Sequence, residues 1–276
     1  MIIATAVILA MLVIIFWPQK TIAPLSIVAD TQNLTSAIPV AHPESTSISP
    51  VSLTGQTIEA KVLMYHHIGP LPDGADSIRK GLTVSQQEFE SQIKYLSDQG
   101  YRMVILRDLD SYIKNQKAPE KIAVITFDDG YDDNFTYAWP VMKKYHVAGT
   151  FFIISHKVGQ SEYMSEEQVQ ELSAQGNEIG SHSYSHISLE KLSSYYLDRE
   201  IKTSKDDLEK LTGAKIVSFC YPSGKYDGKT LAAVRDAGYE FAVTTKSSAG
   251  TVDLNNLLEI PRYRVSTGRN LETMLR

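Results

Sequence analysis

The stretch of sequence that decides the fold is IAVITFDDG, residues 122–130. Its first six residues, Ile122–Phe127, form an apolar run typical of a strand that is covered on both faces, as in parallel sheets. Asp128 and Asp129 follow directly, and Gly130 begins a turn. Barrels of parallel strands collect their active sites at the carboxyl ends of the strands. The two carboxylates therefore mark a candidate site.

Strand-like and helix-like segments alternate on both sides of this stretch, from about Thr57 onward. The predicted strands are residues 61–68, 102–106, 122–127, 150–154, 178–181, 216–221, 241–245 and 260–265. The predicted helices are a segment that Ser85 caps and Gly100 ends, then 135–145, a segment between Ser165 and Gly176, 189–211 and 229–237. Repeated β-then-α units imply an α/β fold with a parallel sheet, doubly wound or closed into a barrel, and about seven strands favour the barrel.

The amino-terminal part differs in character from the rest. Residues 2–17 are an uninterrupted apolar run, shorter than the roughly 20 residues of a membrane span but long enough for the core of a signal peptide. Residues 18–56 hold five of the 11 prolines and no aromatic residue, which predicts a flexible, disordered tether. We expect a signal peptide or membrane anchor at 1–17, a linker at 18–56 and a globular domain at 57–276, located outside the cytoplasm at the cell surface, either secreted or anchored.

Composition excludes some classes of function. The formal net charge is −5 and no stripe of Lys and Arg stands out, so we expect no nucleic-acid partner. Cys220 is the single cysteine, which rules out an internal disulfide and zinc sites of the Cys-x-x-Cys type. We interpret Cys220 as a small buried apolar residue.

Two short motifs suggest a metal site. Burying Asp128 beside Asp129 is costly unless a cation or hydrogen bonds compensate, although a solvated Asp-Asp-Gly turn is the alternative. The segment SHSYSH, residues 181–186, places His182 and His186 four positions apart, so that on one helical turn they would face the same way. Two structural or surface histidines are the alternative there. One carboxylate with two imidazoles leaves positions for water and substrate, which is the ligand count of a catalytic metal.

The motifs TFDDG (126–130) and HSYSH (182–186) together resemble the first two motifs of the polysaccharide deacetylase family, also called the NodB homology or carbohydrate esterase family 4 domain. VLMYHHI (62–68) resembles the branch that includes the poly-β-1,6-N-acetylglucosamine deacetylases of biofilm systems. The resemblance covers about residues 62–265. It implies a distorted (β/α)7 barrel that hydrolyses the acetamide of a glucosamine unit in an N-acetylglucosamine polysaccharide.

The resemblance also implies roles for single residues. Asp128 would be the general base, and Asp129, His182 and His186 would bind a divalent metal, with Zn expected and Co or Ni as alternatives. His66 would protonate the departing amine, with His67 as its rival; on one strand these two face opposite ways. The residues expected to contact substrate are Tyr65, Tyr221, Pro222 and Ser223.

The third family motif is altered in this chain. Where the family commonly has Arg-x-Pro-x-Gly, residues 219–224 are FCYPSG, so Cys220 replaces the arginine that often orients the base. We expect Arg262, or else Arg264, to supply the missing guanidinium, and the Ser223 N–H to remain an oxyanion donor. No histidine follows His186, so the late Leu-x-x-His motif is absent.

The sequence leaves three hypotheses about function. The first is a monomeric N-deacetylase of poly-β-1,6-N-acetylglucosamine or peptidoglycan. The second is a glycan-binding pseudoenzyme with a vestigial site, which the missing arginine would favour. The third is a glycoside hydrolase, which adjacent carboxylates do not suit because that chemistry needs two carboxylates on either side of a sugar.

Overall fold

A computed structural model of the chain describes residues 57–109, 111 and 121–275. The predicted amino-terminal segment and tether lie outside the described residues. Among the residues that are described, no helix has the length and apolarity that crossing a membrane requires.

The strands form a closed, parallel barrel. Their bounds are β1 Thr57–Tyr65, β2 His67–Ile68, β3 Thr83–Val84, β4 Arg102–Val104, β5 Ile122–Phe127, β6 Thr150–Ile153, β7 Glu178–Ser181, β8 Ser218–Cys220, β9 Phe241–Ser247, β10 Thr251–Asp253 and β11 Ile260–Arg264. Seven parallel strands follow one another around the barrel as β1, β5, β6, β7, β8, β9 and β11, and β11 pairs with β1 to close it. The predicted (β/α)7 barrel is confirmed. β4 adds to the start of β5, and β10 pairs antiparallel with the start of β1.

Helices surround the barrel. Their bounds are α1 Ser77–Leu82, α2 Gln86–Asp98, α3 Trp139–Tyr145, α4 Glu166–Ala174, α5 Ser194–Asp198, α6 Ser204–Thr212, α7 Gly228–Asp236 and α8 Leu271–Leu275. Two predicted helix starts are confirmed by their caps: the Ser85 hydroxyl accepts the N–H of Glu88, and Ser165 forms a full capping box with Gln168.

Two hydrophobic layers follow from the alternation of side chains along the strands. Val62 and Val124 belong to a cluster that fills the barrel interior, with Phe152 and Ile260. Their neighbours, such as Tyr65, belong to a larger cluster that includes residues of α2 and α4. A residue's parity along its strand therefore decides whether its side chain faces the barrel axis or the helices.

Two predicted elements differ in the structure. Residues 189–211 were expected to form one helix, but α5 begins only at Ser194 because Lys191 has a left-handed φ of 61° and its N–H binds the Asp227 carboxylate. A π-helical turn, Arg199–Thr203, then separates α5 from α6. The predicted strand 61–68 is also divided, since β1 ends at Tyr65 and His67 begins a separate pairing with β3. The sequence did not predict α1, α8, β3 or β10.

Gly180 in β7 is a point of close approach beneath the carboxyl end of the barrel. A Cβ atom there would lie 2.6 Å from Cδ1 of Phe152 and 3.1 Å from the carbonyl oxygen of Ser218. Gly180→Ala is therefore expected to lower the free energy of unfolding by about 1–3 kcal/mol through overpacking, as measured by denaturant unfolding.

Gly81→Ala is the matched control. A Cβ at Gly81 meets nothing within 4 Å, and the residue lies inside a helix, so the variant should be as stable as the parent or more stable by up to about 1 kcal/mol. Equal unfolding midpoints for the two variants would contradict the packing described for the barrel interior.

Candidate active site

The candidate site lies at the carboxyl end of the barrel, where four inward-facing side chains meet. Asp128 continues the inward parity of Val124 in β5, and its backbone N–H donates to the carbonyl oxygen of Tyr65 at 2.9 Å. Arg262 lies two residues after the inward-facing Ile260. His66 and His182 reach the same region from β1 and β7. Strand alternation thus brings distant parts of the sequence to one end of the barrel.

A buried ion pair joins Asp128 to Arg262. Nη1 and Nη2 of Arg262 donate to the two carboxylate oxygens of Asp128, each at 2.7 Å. The rest of the guanidinium donates to the carbonyl oxygen of Thr244 and the hydroxyl of Thr126, and lies 3.3 Å from Sγ of Cys220. The missing guanidinium therefore comes from Arg262, while Arg264 lines the cleft nearby.

This pair controls the protonation of Asp128. Burial alone would raise the pKa of the carboxyl group, but the charge and hydrogen bonds of Arg262, helped by His182 and His66, outweigh burial and hold that pKa well below its usual range. Asp128 is therefore ionised at neutral pH even though only 2% of its surface is exposed.

A left-handed turn brings the second carboxylate into the same cleft. A residue following Asp128 in a regular strand would face the helices, but Asp129 has φ 73° and Gly130 has φ 79°. The reversal leaves Oδ1 of Asp129 at 3.4 Å from Nε2 of His182 and 3.3 Å from Nε2 of His186. The expected turn at Gly130 is present, and Asp129 itself adopts the strained conformation.

The two histidines lie on a loop and not on a helical turn, which corrects the geometry that the sequence suggested. Ser183 and His186 have φ values of 65° and 62°. The Ser183 hydroxyl accepts the N–H of His186 at 2.9 Å, and the buried Glu200 accepts both the N–H and the hydroxyl of Ser185. Local hydrogen bonds replace helical ones. The sequence gives no local signal for the role of Glu200, which comes from a different element.

This three-residue group suits a divalent metal. Asp129, His182 and His186 each offer a ligand atom within 4.8 Å of the others, and all three residues line the cleft. Nδ1 of His182 is 2.8 Å from the carbonyl oxygen of Cys220, which can only accept, so Nδ1 carries a proton and Nε2 is the atom that would face a cation. Burial would lower the pKa of His182, but Cys220 and Asp129 raise that pKa well above its usual value, so a cation bound there would displace a proton from Nε2. Burial, and then the neighbouring His182, lower the pKa of His186 and favour its neutral form, which binds metals.

A second set with suitable spacing is Asp128, His182 and Cys220. The guanidinium of Arg262 contacts both the carboxylate and the sulfur of this set, so a cation placed there would meet a fixed positive charge. The set with Asp129 is the better metal site. Cys220 is fully buried, as expected, but it also contacts the ion pair.

His66 and His67 face opposite ways, as predicted. Nε2 of His66 is 3.9 Å from Oδ2 of Asp128, and His66 lines the cleft. Burial lowers its pKa, which the two aspartates only partly oppose. Nδ1 of His67 instead lies 2.7 Å from Oδ2 of Asp133, and its ring stacks on Tyr131.

The expected substrate contacts divide into two groups. Ser223 is exposed in the cleft lining. Tyr221 borders the cleft but is fully buried: its ring belongs to the larger hydrophobic cluster and its hydroxyl donates to the carbonyl oxygen of Leu258 at 3.0 Å, so its side chain is not open to substrate. Tyr65 and Pro222 do not line the cleft. The prediction that Tyr65 contacts substrate was wrong. Its side chain faces away from the barrel axis and lies in the core beneath α2, where its hydroxyl donates to Oε1 of Gln92 at 2.8 Å. Pro222 is buried in the turn before Ser223.

Several residues that sequence reasoning missed complete the cleft, whose volume is about 480 Å³. Ile78 and Leu82 of α1 form one part of its lining, and Tyr131, Tyr163 and Lys157 form another. Only Tyr131 lies next to a recognised motif, so only its position could have been suspected from the sequence.

Known proteins resemble this chain in sequence and in fold. A profile described as polysaccharide deacetylase matches residues 115–242. Over 216 residues the chain is 34% identical to YxkH of Bacillus subtilis (strain 168), whose name assigns it to the polysaccharide deacetylases; the match covers 78% of this chain and 74% of the relative. The chain belongs to the polysaccharide deacetylase family. The resemblance in the motifs is thus confirmed, and this deacetylase is an enzyme that removes N-acetyl groups.

Two further relatives agree with this assignment. The deacetylase is 28% identical over 267 residues to the poly-β-1,6-N-acetyl-D-glucosamine N-deacetylase of Staphylococcus epidermidis, with 88% of this chain and 91% of that protein covered. The structure of Streptococcus pyogenes deacetylase PplD in complex with acetate superposes with a TM-score of 0.72 at 27% identity, covering 80% of this chain and 98% of that one. Membership of this family excludes the glycoside hydrolase hypothesis. The arginine missing from the third motif was the observation that favoured a vestigial site, and Arg262 supplies that guanidinium from another strand.

Arg262→Met tests the ion pair. Without the guanidinium, burial should raise the pKa of Asp128, so the acid limb of the kcat/KM profile of the deacetylase should move to higher pH. The variant should also lose about 3–5 kcal/mol of unfolding free energy at neutral pH, because it leaves a buried charge unpaired. In the parent, the depressed pKa of Asp128 contributes stability above its unfolded value of about 3.9, and this is lost as pH falls through the folded-state pKa.

Arg264→Met, from the same strand and also in the cleft lining, is the control. It should leave the acid limb and the unfolding free energy near those of the parent. An acid limb that moves equally in both variants would show that general cleft charge, and not the Arg262 pair, sets the pKa of Asp128.

Proposed function

We propose that this chain is a metal-dependent hydrolase that removes acetyl groups from N-acetylglucosamine units of a polysaccharide outside the cytoplasm. The observation that supports this most is the arrangement of two adjacent carboxylates. Asp129 faces two imidazole nitrogens at 3.3 and 3.4 Å, whereas Asp128 is held ionised beside them by Arg262. One carboxylate is suited to a cation and the other to a proton.

Asp129, His182 and His186 would hold the cation, which we propose to be zinc, with Co or Ni as alternatives for this ligand set. When bound there, a divalent cation supplies Lewis-acid polarisation of an acetyl carbonyl and of water. The ligand atoms come from the ends of β5 and β7, whose spacing the barrel fixes.

Asp128 would accept the proton of the attacking water. Its lowered pKa keeps the carboxylate ready for this step at neutral pH, and the bidentate hydrogen bonds of Arg262 fix its orientation. Arg262 acts through Asp128 in this scheme and so positions the base.

His66 would protonate the departing amine. It lies on the cleft side of β1, 3.9 Å from Asp128. Burial lowers the pKa of His66 and favours its neutral form at neutral pH, so the proton that it donates to the amine would be the one that Asp128 takes from the attacking water. The backbone N–H of Ser223, in a turn with φ 53° that lines the cleft, is the proposed donor to the oxyanion.

Poly-β-1,6-N-acetylglucosamine is the substrate we propose first, and peptidoglycan second. The support is the S. epidermidis relative, whose name states that polymer and which this chain matches over most of both lengths. The proposed location at the cell surface, with membrane contact through residues 2–17, depends on that apolar run. The monomeric state stays a prediction.

Acetate release from acetylated glycans tests the proposed chemistry. Full-length protein should release acetate from poly-β-1,6-N-acetylglucosamine, lose the activity with a chelator and regain it when Zn is added back. Asp128→Asn should reduce kcat by about 10²–10⁴, the range of general acid–base catalysis, without reducing bound metal in elemental analysis. Full activity of this variant would refute the assignment of the base.

Metal content separates the ligands from other histidines. His186→Ala should lower the molar ratio of bound zinc, since it removes one of three protein ligands. His156→Ala is the matched control, because His156 stacks on Tyr184 outside the metal group and should keep the parent ratio. Unchanged zinc in His186→Ala would rule out the proposed site.

A further inference from the structure

A pair of stacked tyrosines lies beside the proposed metal group. The ring centroids of Tyr131 and Tyr163 are 5.3 Å apart and the rings are nearly parallel, with an interplanar angle of 28°. Both side chains line the same cleft as Asp129 and His186. We call this pair, Tyr131 and Tyr163, the tyrosine wall.

The tyrosine wall is held rigidly with respect to the metal ligands. Tyr131 lies two residues after Asp129, and its backbone forms a β-bridge with Tyr163. The N–H of Met164 donates to the carbonyl oxygen of Gly130 at 3.0 Å, and the N–H of Asp132 donates to that of Glu162 at the same distance. Backbone hydrogen bonds therefore fix the wall to the turn that carries Asp129.

His67 supports the wall from the side of the core. Its ring stacks on Tyr131 with a centroid distance of 3.6 Å, and Asp133 holds its Nδ1 at 2.7 Å. This contact gives a role to the histidine that does not face the proposed metal group. The two tyrosine rings are therefore held in position before a ligand binds, so binding costs them little side-chain entropy.

The wall does not belong to the hydrophobic core. Tyr131 and Tyr163 are half-buried, and neither is among the residues that form or pack against the two hydrophobic clusters. Tyr131 lies between the rings of His67 and Tyr163, so the ring of Tyr163 is the outer part of the wall, and Nζ of Lys157, which also lines the cleft, lies over that ring at 5.5 Å from its centroid. An aromatic ring with an ammonium donor beside it suits a ligand that is apolar on one face and polar at its rim. A pyranose ring, with its C–H face and its hydroxyl groups at the edge, has that character.

We propose that the tyrosine wall is the subsite for a neighbouring sugar ring of the glycan chain, with Tyr163 as its main contact. The reacting acetamide must reach the buried group at the base of the cleft, where Asp128 and His182 are each 2% exposed. The rest of the chain must then pass along the more exposed lining, where Tyr163 lies. This inference rests on the proposed function, since it assigns another part of the same cleft to the same glycan.

The test compares Tyr163→Ala with Tyr163→Phe in the full-length protein, on a β-1,6-linked N-acetylglucosamine oligosaccharide. Removing the ring should raise KM about tenfold and leave kcat within about twofold, because the wall binds a sugar that does not react; tenfold corresponds to about 1.4 kcal/mol. The Phe variant keeps the ring face and should restore the parent KM. Tyr195→Ala, which removes a 72% exposed tyrosine that does not line the cleft, should have no effect.

Two outcomes would overturn the proposal. One is a KM for Tyr163→Ala within twofold of the parent. The other is a fall in kcat with KM unchanged, which would place the ring at the reacting sugar. Calorimetric binding of the oligosaccharide in an Asp128→Asn background measures the same contact without turnover, and there Tyr163→Ala should weaken binding about tenfold. If the parent releases no acetate, the proposed function fails, whereas the binding comparison still decides the role of the wall.

Discussion

The buried ion pair between Asp128 and Arg262 is the interaction on which the rest of the site depends. It is bidentate, at 2.7 Å for both hydrogen bonds, and only 1% of the surface of Arg262 is exposed. Such a pair offsets its desolvation cost only when the remaining donors are also satisfied. Here Thr126 and Thr244 accept two of them, so the guanidinium ties the ends of β5, β9 and β11 together.

The same pair shows how a site can keep its chemistry when a motif changes. The family motif commonly places an arginine where this chain has Cys220, yet a guanidinium still contacts the base. It comes from β11, and Sγ of Cys220 lies 3.3 Å from it. The smaller side chain at position 220 leaves room for a long one from another strand. The chemical requirement is a positive charge beside Asp128, and the barrel allows more than one strand to supply it.

Backbone strain is concentrated at the carboxyl end of the barrel. Asp129, Ser183, His186 and Ser223 all have positive φ values between 53° and 73°. At Asp129, His186 and Ser223 the conformation turns a side chain or an N–H group toward the cleft, and at Ser183 it places the hydroxyl where it accepts the N–H of His186. Non-glycine residues adopt this conformation at some cost in free energy, and the surrounding hydrogen bonds, such as those of Glu200 to Ser185, offset it.

The alternation of strand and helix segments, together with the family resemblance, predicted the barrel. Local chemistry determined the other features that the sequence by itself could predict: the apolar strand Ile122–Phe127, the caps at Ser85 and Ser165, and the carboxylate and histidine motifs. Each of these depends on neighbours a few positions apart, so periodicity and motif spacing reveal it. Tertiary structure alone decided that Arg262 and not Arg264 reaches Asp128, that Tyr65 lies in the core, and that Tyr131 meets Tyr163. Asp128 and Arg262 are 134 positions apart, and they meet because the barrel closes β11 against β1 and sets which side of each strand faces inward.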